Sequence, residues 1–177
     1  AGQALPEESG NGGLIHALTA FKERGVDAVL ISGDLQNHTT DLELSKKWIE
    51  IFAEAWFTVF PNNTNDLTGE HVEPVFICGN HDQQLVAEQY WPESLGAYSE
   101  AFIKEVNGYY FVGANFWCES AASDYILRAK EDSNGYPFFY TQHCTLYNTV
   151  YGITDAGHGT AETNLDELWD AYNGITF

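Results

Sequence analysis

Three places in the sequence set a metal-type donor where an apolar run ends. They are Asp34 in Ser32-Gly33-Asp34, Asn80 in Gly79-Asn80-His81-Asp82, and His143 after Phe138-Phe139-Tyr140-Thr141-Gln142. A carboxylate, a carboxamide oxygen and a neutral imidazole together suit a divalent cation. Two such ions about 3.5–4 Å apart can drive hydrolysis, provided one carboxylate touches both. Asp34 is the natural bridging carboxylate, Asn80 adds a donor without adding charge, and His143 adds a nitrogen. Ligands at the ends of separate strands are held rigidly by the sheet, and the loops beyond leave the ions open to substrate. Gly33 and Gly79, each just before a candidate ligand, let the backbone turn sharply there.

Each of these residues also has a plainer reading. Asp34 can cap the loop after its strand, and Asn80 and Asp82 can be turn formers with His81 on the surface between them. His143 can be a buried, hydrogen-bonded histidine. All three segments in one chain favour the metal reading, which none of them would carry alone. His16, His38 and His71 read as surface residues, and His158 in Gly157-His158-Gly159-Thr160 as a loop residue. Tyr109, Tyr110, Phe111, Phe116 and Trp117 read as core, and Asp41, Glu43, Glu50 and Glu54 as a solvated helix face.

The elements that must position the donors follow from periodicity. Leu14, Leu18 and Phe21 mark a helix over 13–24 that Gly25 stops, and Ala28-Val29-Leu30-Ile31 reads as a fully buried strand. Leu42, Leu44, Trp48, Ile49, Phe52 and Ala53 predict an amphipathic helix over 41–58. After a polar turn at 61–68, Val75-Phe76-Ile77-Cys78 is a second buried strand. A helix is predicted over 95–106 with Gly108 as its breaker, then a strand at 109–112, a weakly marked helix at 120–130 and a strand at 138–140. A last helix at 164–172 leads into a strand at 175–177. Strands alternating with helices give an α/β fold with much parallel pairing and helices over the sheets.

The chain has 177 residues, 44% of them hydrophobic, which suits a single domain over 1–177 with a sizeable core. Eleven Phe, ten Tyr and five Trp exclude a disordered segment. Twenty-six acidic residues against seven basic ones give a net charge of −19, which argues against binding nucleic acid or an anionic membrane surface. No apolar run reaches the length of a membrane span, and no signal peptide is apparent. Cys78, Cys118 and Cys144 are far apart and read as buried apolar residues. With no Met at position 1, the start reads as a processed or truncated end.

Val29-Leu30-Ile31-Ser32-Gly33-Asp34 resembles the Gly-Asp motif of the calcineurin-like metallophosphoesterases. Cys78-Gly79-Asn80-His81-Asp82 is similar to their Gly-Asn-His-Asp/Glu motif, and the segment ending at His143 resembles their later strand with a metal-binding histidine. The resemblance implies a four-layer α/β/β/α sandwich, here incomplete at both ends, and a phosphoric ester hydrolase using two divalent ions of manganese, iron or zinc. It implies that Asp34 bridges the ions and that Asn80 and His143 bind the second. It places His81 at the edge of the centre, stabilising phosphoryl oxygens or protonating the leaving alkoxide, with Asp82 holding its imidazole. Hydroxide formed from metal-activated water would attack phosphorus in line.

The family pattern also has an opening Asp-x-His and a closing Gly-His-x-His, and neither stands in this sequence. The chain begins in what resembles the loop after the first motif and ends within the strand before the last. The expectation is therefore weak metal binding and little turnover. The alternative is a non-catalytic binding module on a degenerate phosphoesterase fold; a nucleotide-binding α/β domain is disfavoured because no Gly-x-x-x-x-Gly-Lys loop is present.

Overall fold

The computed structural model describes residues 7–37, 39–82, 86, 90–91, 95, 101–116, 122–143, 145–146 and 160–161. The chain forms two compact units, one of Ala1–Leu30, Leu35–Pro74 and Gln83–Tyr98, the other of Ile31–Asp34, Val75–Asp82 and Ser99–Phe177. The predicted last helix and strand, His38, His158, Trp117, Cys118 and Cys144 lie outside the described residues.

In the first unit, helix α1 (Glu7–Arg24) ends at Gly25, whose φ of +66° suits glycine. Gly25 N–H donates to Lys22 O and Val26 N–H to Phe21 O, the two bonds of a Schellman ending. Helix α2 (Leu42–Val59) starts where the Asp41 carboxylate accepts from the amides of Glu43 and Leu44. Its inner face buries Ile49, Phe52, Ala53, Trp56 and Val59, and α1 packs beside it with Leu18. The Trp56 indole donates to Asn63 Oδ1 at 2.8 Å, so the largest buried ring is also satisfied. Past a 3₁₀ turn at Pro61–Asn63, the small hairpin β2 (Thr64–Asn65) and β3 (Glu70–His71) buries Asn65, whose amide donates to Lys22 O at the end of α1. His16 and His71 are exposed as expected, and His71 lies 2.9 Å from Glu73.

Strands β1 (Ala28–Ser32) and β4 (Glu73–Ile77) pair with one another. Pro74, Val75, Phe76 and Ile77 of β4 are buried, as the apolar run predicts. β1 departs from its prediction: Val29 is buried but Leu30 is 43% exposed. An apolar run shows that a strand can be buried on both faces; only neighbouring elements decide whether it is.

In the second unit, β5 (Ala101–Val106), β6 (Tyr109–Ala114) and β7 (Phe138–Gln142) form a three-stranded sheet. β5 and β6 are antiparallel, and β6 and β7 are parallel, joined across helix α3 (Ala122–Asp132). Ala122, Ile126 and Ala129 of α3 close a core with Ala101, Val112 and Ala114 of the sheet. The other face brings Phe111 over Phe139, with ring centroids 5.0 Å apart. Gly113 leaves room for the Phe102 ring on the neighbouring strand, which a Cβ there would strike. Two short strands, β8 (Thr145–Leu146) and β9 (Thr160–Ala161), pair in parallel.

Residues 101–106 overturn the predicted helix over 95–106. Asn107 and Gly108 take φ of +52° and +82°, so they make a two-residue hairpin turn of the kind Asn-Gly favours. Gly108 breaks nothing; it folds β5 back on β6. The mixed α/β class stands, while the pairing is mixed where much parallel pairing was expected.

Candidate metal centre

β1 ends at Ser32, and the next two residues both take left-handed backbone, Gly33 at φ +97° and Asp34 at φ +53°. Asp tolerates this conformation better than most residues because its short side chain can bond locally. The turn lets Asp34 Oδ1 accept the His81 N–H at 3.1 Å. β4 ends at Ile77, and the following loop is closed from both sides. Gly79 N–H donates to Asp82 Oδ2 at 2.7 Å, and Asp82 N–H donates to Gly79 O at 3.3 Å. β7 ends at Gln142 and presents His143.

His143 is where the three segments meet. Its Nδ1 lies 2.8 Å from the Ser32 carbonyl, its Nε2 is 2.8 Å from Asn80 Oδ1, and the same Nε2 is 3.4 Å from Asp34 Oδ1. A carbonyl can only accept, so Nδ1 carries the ring proton and Nε2 of the neutral imidazole turns a lone pair outward. The Asn80 and Asp34 oxygens then both lie against that lone pair, and a proton or a cation between them relieves the repulsion. Donors about 2.1 Å from a shared ion stand about 3.0–3.4 Å apart at octahedral to tetrahedral angles. The Asp34 separation of 3.4 Å falls in that range and the Asn80 separation of 2.8 Å lies just below it, and carboxylate, amide oxygen and imidazole are the donor types such ions take. The glycines allow the approach. A Cβ on Gly33 would lie 2.6 Å from Gly79 N and 2.7 Å from His143 Nδ1; one on Gly79 would lie 2.6 Å from both Asp34 N and His143 Cε1.

The family model described as calcineurin-like phosphoesterase matches residues 10–174, which include all five candidate residues. The chain belongs to the calcineurin-like phosphoesterase family. No curated protein and no solved structure gives a significant match. Membership makes the chain a relative of metal-dependent phosphoester hydrolases, and the mixed α/β architecture agrees with that fold.

In this calcineurin-like phosphoesterase, His81 is half-buried beside the convergent donors, and Asp82 is buried with one oxygen spent on closing its own loop. Among the described residues no group of three or more His, Cys, Asp or Glu is placed to hold a metal. The convergent set is instead one Asp, one His and one Asn. Two features escaped the sequence reading. The Ser32 carbonyl fixes the His143 ring through Nδ1, the outer hydrogen bond that metal-binding histidines characteristically have. Asn115, directly after β6, turns its Oδ1 onto the Cys78 N–H at 2.7 Å. A polar residue following a buried strand was the signal for Asp34, Asn80 and His143, and Asn115 shares it. No helix among the described residues is long and apolar enough to cross a membrane.

Proposed function

We propose that Asp34, Asn80 and His143 are metal ligands of a phosphoric ester hydrolase whose family chemistry uses two divalent ions of manganese, iron or zinc. The convergence of His143 Nε2 with the Asn80 and Asp34 oxygens supports this reading most directly. When bound, such ions supply water activation and neutralise charge on the phosphoryl group. The remaining work falls to the chain. The Ser32 carbonyl holds the His143 ring with Nε2 toward the ligand set, and the His81 amide holds the Asp34 carboxylate. The His81 imidazole is the group we assign to the phosphoryl oxygens or to protonating the leaving alkoxide, with Asp82 as its orienting partner. The fold we assign to residues 1–177 is the α/β/β/α sandwich, as one domain.

Because neither Asp-x-His nor Gly-His-x-His stands in the 177 residues, we expect weak cation binding and little turnover from this chain. Titration calorimetry with Mn²⁺ tests the ligand set: Asn80→Ala should weaken binding at least about tenfold, and an unchanged affinity would sink the assignment. A colorimetric aryl-phosphate assay with added Mn²⁺ tests the activity. Turnover abolished by Asp34→Ala would overturn the expectation of an inactive chain. A second reading, a binding module on a degenerate phosphoesterase fold, would be excluded by that turnover.

A further inference from the structure

Beyond the end of β4, both backbone polar groups of Cys78 are held by two consecutive residues of another segment. The Asn115 side chain accepts the Cys78 N–H at 2.7 Å, and the Phe116 N–H donates to the Cys78 carbonyl at 3.0 Å. Asn115 is 2% exposed and Cys78 is equally buried, so water does not compete for these bonds. Cys78 stands immediately before Gly79 and two residues before Asn80, where a small rotation of its peptide swings the whole ligand loop. The same segment also reaches the third ligand. β6 and β7 end in register, Ala114 opposite Gln142, so Asn115 and His143 are each the first residue past the paired ends. The Phe116 ring then meets the His143 ring edge-on, with centroids 6.3 Å apart and planes at 81°.

We propose that Asn115 is a positioning residue for the cation site: by holding the Cys78 amide it sets where Asn80 Oδ1 stands relative to His143 Nε2. In this role Asn115 acts through the Cys78–Asn80 backbone, with its Oδ1 engaged by the Cys78 amide. The proposal rests on the reading of Asp34, Asn80 and His143 as cation ligands.

The test compares Asn115→Leu, which removes the acceptor, with Asn115→Asp, which keeps an oxygen at the same place, in the full chain. Mn²⁺ affinity is measured by calorimetry, the Co²⁺ complex by its visible absorption, and unfolding by thermal melts in EDTA. Asn115→Leu should weaken Mn²⁺ binding about tenfold or more and alter the Co²⁺ spectrum, while Asn115→Asp stays within about threefold of the parent. A lowered melting temperature with unchanged Mn²⁺ affinity in Asn115→Leu would show a merely structural role and overturn the proposal. Equal weakening by both variants would overturn the acceptor role. If Asn115→Leu does not fold, Asn115→Ser, too short to reach the amide, takes its place in the same comparison. Asn80→Ala is run alongside: if it leaves Mn²⁺ affinity unchanged, the ligand assignment has failed, whereas an effect of Asn80→Ala without one of Asn115→Leu defeats the positioning role alone.

Discussion

At Gly79 the constraint is space. The backbone of Asp34 and the imidazole of His143 close on it from two sides, and a methyl group has nowhere to go without moving one ligand segment. Gly33 has the same crowding and a positive φ as well, so it is constrained twice. Gly79→Ala should therefore cost about 1–3 kcal/mol of stability, as overpacking does, and should weaken Mn²⁺ binding with it. Urea unfolding and Mn²⁺ titration of the same variant check both parts; a variant as stable and as tight-binding as the parent would show that the segments do not approach so closely. Asp34 sits beside this contact in left-handed backbone, a conformation disfavoured for most residues other than glycine, while its carboxylate is held by the His81 amide. Such a residue is kept in place by its surroundings, as candidate ligands commonly are.

At the scale of elements, the second unit depends on the hairpin that the helical prediction missed. The residues of 101–106 can be placed on a helix or a strand, since Phe102, Ile103 and Val106 suit either pattern over so short a run. Asn107-Gly108 decides it, because two successive positive φ angles join antiparallel strands and end a helix differently. Gly108→Val should cost about 1–3 kcal/mol, since a β-branched side chain strains backbone at φ +82°. Open space around Gly108 means that no clash contributes, so the loss measured by chemical denaturation would report backbone conformation alone. No loss would show that the turn does not hold this conformation. The hairpin matters to the site because it fixes β6, whose end carries Asn115 and whose parallel partner β7 carries His143.

At the scale of the whole molecule, the excess of 26 acidic over 7 basic residues sets the behaviour in solution. Self-repulsion at −19 disfavours a compact chain, and salt screens it over roughly 10 Å at 0.1 M. The melting temperature should rise when NaCl is taken from about 10 to 150 mM, and duplex DNA should show no measurable binding at the lower salt. A fall in melting temperature over that range, or a DNA complex at low salt, would contradict this reading. The same charge attracts divalent cations non-specifically, which is why Asn80→Ala, an uncharged substitution, is the informative control for a specific site.

Much of this was legible along the chain. Asp34, Asn80 and His143 could be picked out because each is a donor type placed just after an apolar run, and α2 because its apolar stripe has helical period, although Asp41, read as part of its solvated face, caps the helix instead. Local rules reach that far because strand ends and helical stripes depend on neighbours within a few residues. Local rules failed at 101–106, where a two-residue turn outweighed an ambiguous pattern, and at Leu30, whose exposure depends on what packs beside β1. The tertiary structure alone brought residues 34, 80 and 143 to within hydrogen-bond range, set Ser32 O against Nδ1, and gave Asn115 its amide to hold. These relations join atoms more than thirty residues apart, and the chain between them leaves their separation free until the sheets form.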